Sequence, residues 1–210
     1  MKRRPEKDNI TKLIPKGWAH YVDTYYNYYY NPAEYEILLD EHAKPYCHYY
    51  STSEHPSQPI GLTDYRLMFS KFQGKQLDLN NWDMSKVQNL SGFFKFCRQL
   101  RSLNLSHWDC SSVLNADEMC YCCTMLKIVT FQNVNFQNLC SMESMWYQCE
   151  NLITLDLCGW NLPKLRSMDH FCEECFHLKT VNMRDWTLAE EVSVFAAFNN
   201  CPELCTFFTN

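Results

Sequence analysis

An α/β solenoid, a stack of about five 26-residue strand–helix units behind an N-terminal cap, is the fold class this sequence predicts. Three observations carry the prediction. First, four columns recur at a spacing of 26 without insertion: Trp82, Trp108, Val134, Trp160 and Trp186; Cys97, Cys123, Cys149, Cys175 and Cys201; Leu77, Leu103, Val129, Leu155, Val181 and Phe207; and Leu100, Leu126, Leu152, Leu178 and Leu204. Second, each unit holds two hydrophobic periods. Leu103 and Leu105 alternate with Ser102, Asn104 and Ser106, the period of a half-buried strand. Val87, Leu90, Phe94 and Cys97 then follow at i, i+3, i+7 and i+10, one face of a helix. Third, 210 residues that are 46% hydrophobic and 20% charged can bury a core. A strand and a helix in so short a unit cannot bury both faces alone, so the units must stack.

In chain order, residues 1–16 read as a basic, mobile arm, with six Lys/Arg against Glu6 and Asp8. Residues 17–74 read as a cap: residues 1–65 hold eleven of the thirteen tyrosines, and Leu67-Met68-Phe69 before Leu77 suggests a degenerate half-repeat one residue out of register. Tyr21, Tyr25, Tyr28 and Tyr29 fall at helical spacing and would face the cap's interior. The repeats occupy 75–210, as units 75–100, 101–126, 127–152, 153–178 and 179–204. Asp83, Ser85, Asp109 and Ser111 stand where helix N-caps are expected. Leu204-x-x-Phe207 opens a sixth strand.

The register Leu100-x-x-Leu103-x-Leu105-x-x-Trp108 resembles a leucine-rich repeat with Trp in place of the usual Asn or Cys. More closely, "LDLNNWDMSKVQNLSGFFKFCRQL" (77–100) and "LNLSHWDCSSVLNADEMCYCCTML" (103–126) resemble the BspA-like leucine-rich repeat, the Mycoplasma-type repeat of bacterial and protist surface proteins and of some large DNA viruses. The resemblance spans 75–204 and rests on core residues, so it implies fold more than function. Val134 in the tryptophan column and Glu191 in an apolar slot depart from that pattern.

Several chemistries are excluded or disfavoured. The five glycines lie too far apart for a P-loop or a Rossmann fingerprint. Thirteen cysteines, an odd number, suggest buried reduced thiols over a disulfide scaffold. Cys120-x-x-Cys123 and Cys172-x-x-Cys175 lie two units, or about 10 Å, apart, too far for one tetrahedral zinc. In His170-x-Cys172-x-x-Cys175-x-His177 a helix would turn the histidines away from the sulfurs. No metal, cofactor or catalytic residue is therefore expected. Cys47-His48 is the only adjacent cysteine–histidine pair, so an enzyme hidden in residues 1–65 is the weakest of the functional readings. The run Tyr25-Tyr26-Asn27-Tyr28-Tyr29-Tyr30 lacks the cations of a nucleic-acid platform, since no Lys or Arg stands between Gly17 and Ala43. The net charge of −5 argues the same way, and no stretch is long and apolar enough to cross a membrane as a helix.

What remains is recognition. The outward strand positions Asp78, Asn80, Asn104, Thr130, Gln132, Asp156, Asn182 and Arg184 form a polar face suited to a protein or a glycan. Phe207 and Phe208 at the C-terminal end would either mediate self-association or fold back and seal the last unit. The expected function is a non-enzymatic interaction or assembly module in the cytoplasm or in a particle assembled there, such as a virion. Met1-Lys2-Arg3-Arg4 is followed by Pro5-Glu6-Lys7-Asp8 where a signal peptide would turn apolar. A surface adhesin exported without a leader is the alternative.

Overall fold

The computed structural model describes residues 19–22, 27–39 and 45–209. The basic segment 1–16 lies outside them, as do Tyr25 and Tyr26.

The chain opens with two antiparallel hairpins. Strand β1 (Ala19–Val22) pairs with β2 (Asn27–Tyr30), placing Tyr21 opposite Tyr28. The helical spacing of these tyrosines is thus realised as strands. Strand β3 (Tyr35–Leu39) pairs with β4 (Pro45–Tyr49). Tyr35, Cys47 and Tyr49 are buried from this hairpin, and Tyr49 packs on Phe69 with ring centroids 4.9 Å apart. The N–H of Tyr49 donates to the carbonyl of Met68 at 2.6 Å, tying the hairpin to the first layer of the repeats. In that layer Asp64 bridges Asn89, an offset of 25, and the N–H groups of Tyr65, Leu67, Phe69 and Lys71 reach the carbonyls of Asn89, Ser91, Phe93 and Lys95.

From there each 26-residue unit lies parallel on the next. Strands β5 (Ser102–Asn104) and β6 (Ile128–Thr130) pair in parallel. So do β7 (Thr154–Asp156), β8 (Asn161–Leu162) with β10 (Thr187–Leu188), β9 (Thr180–Asn182) and β11 (Thr206–Phe208), in the order β11-β9-β7 for the three-stranded sheet. Single bridges from Asn89 through Asn115, Ser141 and Ser167 to Ser193 join the opposite side of every unit.

The expected α/β solenoid of leucine-rich strand–helix units is corrected by this structure. Among the described residues there is no helix, and the strands are two to five residues long in five small separate sheets. The segment read as a helix is a chain of turns. In unit 101–126, the N–H groups of Met119, Tyr121 and Cys123 close four-residue turns on the carbonyls of Ala116, Glu118 and Cys120. Those of Glu118, Cys120 and Cys122 leave the unit and donate to Glu143, Met145 and Tyr147 of the next, each at 2.8 Å. Every second donor is therefore satisfied by a neighbouring unit, and none requires an i−4 partner.

Two columns carry the turns. Gly92, Glu118, Ser144, His170 and Ala196, and Phe96, Cys122, Gln148, Glu174 and Asn200, all have φ between 52° and 62°. They stand third in four-residue turns, as in type II geometry. Buried Val113, Ala116, Met119, Cys120, Cys123 and Leu126 sit at steps of 3, 3, 1, 3 and 3. Over fourteen residues that spacing matches a helical stripe as well as a run of four-residue turns.

The core runs through the units as stacked columns. Trp82, Trp108, Trp160 and Trp186 are buried, and the last two stack with centroids 6.0 Å apart and planes 3° from parallel. Where Val134 interrupts the column, Phe131 and Phe136 bring rings to within 5.2 and 4.9 Å of Trp160. The cysteine column has its own reason. The thiols of Cys97, Cys123, Cys149, Cys175 and Cys201 donate to the carbonyls of Phe69, Phe94, Cys120, Trp146 and Cys172 at 3.0 to 3.2 Å. A small apolar group with a weak donor fits a buried turn carbonyl that has a free lone pair. Burial opposes ionisation, pushing Cys47 up to about 12 and Cys201 to about 11.

A candidate recognition face on the strand side

The polar positions chosen from the sequence share one side of the units, and the side chains of Asn80, Asn104 and Thr130, and of Asp156 and Asn182, are engaged with one another. Asp78, Asn104, Asp156 and Asn182 each accept, through Oδ1, the N–H two residues ahead, from Asn80, Ser106, Cys158 and Arg184 at 3.0 to 3.2 Å. These are Asx turns, which bend the chain out of each strand. The preference for Asp or Asn in this column thus has a local structural cause.

The same side chains also link the units. Asn104 Nδ2 donates to Asn80 Oδ1 at 3.3 Å, Thr130 Oγ1 to Asn104 Oδ1 at 2.9 Å, and Asn182 Nδ2 to Asp156 Oδ1 at 2.8 Å. Gln132 receives the Ser106 hydroxyl oxygen on its backbone N–H at 3.1 Å, leaving its amide side chain exposed. Asp78 faces His55 at 3.3 Å, and these two with Glu54, Gln76, Asn80, Ser102 and Asn104 line a shallow depression of about 280 Å³. A second depression of about 220 Å³ lies over Thr130, Gln132, Asn133, Asp156 and Cys158.

The C-terminal residues are placed differently. Phe207 packs edge-on against Phe198 with centroids 5.1 Å apart and remains 44% exposed. Phe208 is half-buried beneath the Arg184 guanidinium, 4.3 Å from its ring centre. Val194 and Phe195 of unit 179–204 are 56% and 70% exposed. Glu191, the departure noted in the sequence, is exposed where Val113, Leu139 and Leu165 are buried.

Elsewhere, His170 is paired with Glu173, and no group of three or more potential metal ligands gathers among the described residues. Cys47 is buried, and the ring of His48 reaches Glu36 and the Ser70 carbonyl.

One column went unread in the sequence. The position that opens each 26-residue unit, one residue before the strand where a strand follows, holds Lys75, Arg101, Lys127, Ile153, Lys179 and Cys205. Its signal was available, since these residues share one slot of the 26-residue period. Beyond it, Glu203 bonds His177 at 2.9 Å and lies 3.6 Å from Lys179, and these contacts hold its carboxyl below the usual range.

These features define a repeat protein of parallel, side-by-side units, with a hydrogen-bonded polar face along its strands. Residues 63–205 match the family described as "Mycoplasma protein of unknown function, DUF285", and the chain belongs to that family. No curated protein matches the chain. No solved structure matches it either.

Proposed function

We propose that the chain is a non-enzymatic interaction module that recognises a protein or glycan partner through its strand face. The observation that carries this reading is the cross-unit bonding of Asn80, Asn104 and Thr130, and of Asp156 and Asn182. Those bonds hold amide, hydroxyl and carboxylate groups in fixed rows one unit apart, about 4.8 Å. A partner that reads such rows loses little side-chain entropy on binding, because the rows are already ordered.

Membership of the DUF285 family, together with the BspA-like motifs in 77–126, favours a surface-repeat role over a scaffold confined to the cell interior. In that reading the partner is a host or matrix component met outside the cell.

The test is a set of isosteric neutralisations, Asp78→Asn, Asp156→Asn and Arg184→Gln, which keep the Asx turns while removing the outward charges. Capture of partner from the native source should weaken strongly while the melting midpoint stays in place. Unchanged capture would remove the strand face from the binding surface.

A further inference from the structure

Backbone bonds tie the unit-opening column across the units. The N–H of Arg101 donates to the Lys75 carbonyl and that of Lys127 to the Arg101 carbonyl, both at 3.0 Å. At the spacing of parallel strands, Lys75, Arg101 and Lys127 form a straight line of three cations about 10 Å long. All three side chains are exposed.

Lys71 and Arg98 continue the charge around the corner. With Gln73, Phe96 and Gln99 they line a depression of about 450 Å³. Among the described residues no ion pair engages any of these five cations; the pairing in this column begins only at Lys179, with Glu203. Like charges held one unit apart repel, so the line costs stability that a bound anion would restore.

We propose that this line binds a linear sulfated glycan chain. The inference rests on the strand side being the recognition surface, and it names the ligand chemistry at that surface's edge. Neutral hydrogen-bonding groups flank Lys75 and Arg101 on both sides, Gln73 and Gln99 before them and Gln76 and Ser102 after, while exposed Met125 and Ile128 flank Lys127; the first two positions suit a chain carrying hydroxyls between its sulfates. The positive strip is narrow. Asp78 lies only three residues along the chain from Lys75, at most about 10 Å, so a wide duplex would set phosphates against carboxylates. No aromatic side chain stands in the columns immediately flanking Lys75, Arg101 and Lys127, and Phe96 in the adjoining depression already has the Arg98 guanidinium 5.5 Å over its ring, so a single nucleic-acid strand would find no row of stacking platforms there.

The experiment measures binding of a fluorescent heparin-derived oligosaccharide to the full chain at physiological salt. The wild type should bind, with affinity falling as salt rises. Lys75→Gln, Arg101→Gln and Lys127→Gln together should weaken binding by about tenfold or more, with an unaltered melting midpoint. A desulfated oligosaccharide should bind far more weakly than the sulfated one. Retained affinity in the triple variant, equal binding of the desulfated chain, or equally tight binding of single-stranded DNA would each overturn the proposal.

The set Asp78→Asn, Asp156→Asn and Arg184→Gln separates the two readings. Loss of native-partner capture in that set without any wild-type binding of the oligosaccharide would sink the glycan line alone. Oligosaccharide binding that depends on Lys75, Arg101 and Lys127, with capture untouched by that set, would sink the broader face alone.

Discussion

Single residues in this chain act through the copies of themselves one unit away. Trp108 is 3% exposed and lies 6.2 Å from the Phe93 ring, so Trp108→Ala should cost about 3–5 kcal/mol. Asn104, on the outer side of the same unit, accepts the Ser106 N–H and the Thr130 hydroxyl and donates to Asn80. Water can replace each of those exposed bonds, so Asn104→Ala should cost about 1 kcal/mol. Denaturant unfolding of both variants checks the order, and equal shifts would contradict the inside–outside arrangement. The cysteine column shows the same logic. Its spacing was legible in the sequence, but its cause, a thiol donating to a carbonyl 28 or 29 residues earlier, exists only once the units are stacked.

Elements are where the sequence pattern misled. Apolar steps of three and four describe a helical stripe, and Glu118, Gln148 and Glu174 are good helix formers. Yet each of these has positive φ, which costs an L-residue about 1–2 kcal/mol in isolation. That cost is offset by hydrogen bonds to the next unit, which no local propensity contains. Two substitutions in one turn column test this account. Ser144, at φ 52°, should gain several tenths of a kcal/mol on Ser144→Gly, since glycine adopts that conformation without a Cβ penalty. Gly92→Ala should lose about 1–2 kcal/mol, because φ is +60° and a Cβ would stand 2.7 Å from Leu67 Cδ2. Thermal melts of the pair should move in opposite directions; a shared direction would argue against the turn assignment.

The whole molecule is held by an offset rather than by any one element. Nearly every interior column repeats at 26, so removing a complete unit should rejoin the columns. Excision of 127–152 sets Trp160 26 positions after Trp108 and Cys175 26 positions after Cys123, in the place that Cys149 held. The shortened protein should still unfold cooperatively, with a lower midpoint, because each unit is stabilised by its neighbours. Removing half a unit, 127–139, would set apolar columns against polar ones and should abolish folding. Circular dichroism of the intact chain and both deletions reads the outcome, and a folded half-unit deletion would refute the register argument.

By itself the sequence determined the length of the repeat, the inward columns and the side of each strand that meets solvent, because a period of 26 and an alternation of two are visible without coordinates. It also carried the family resemblance, since the matched residues are those same columns. Tertiary structure decided what lies between the strands. Once units stack in parallel, half the backbone donors of each turn segment find acceptors in the next unit, and a helix loses its advantage. The tertiary structure likewise joined the outward polar residues into rows, gave their Asx turns a structural purpose, and drew Lys75, Arg101 and Lys127 into a line. Residues 26 apart meet only through stacking, so charge along that axis is a property of the assembled units and not of any one of them.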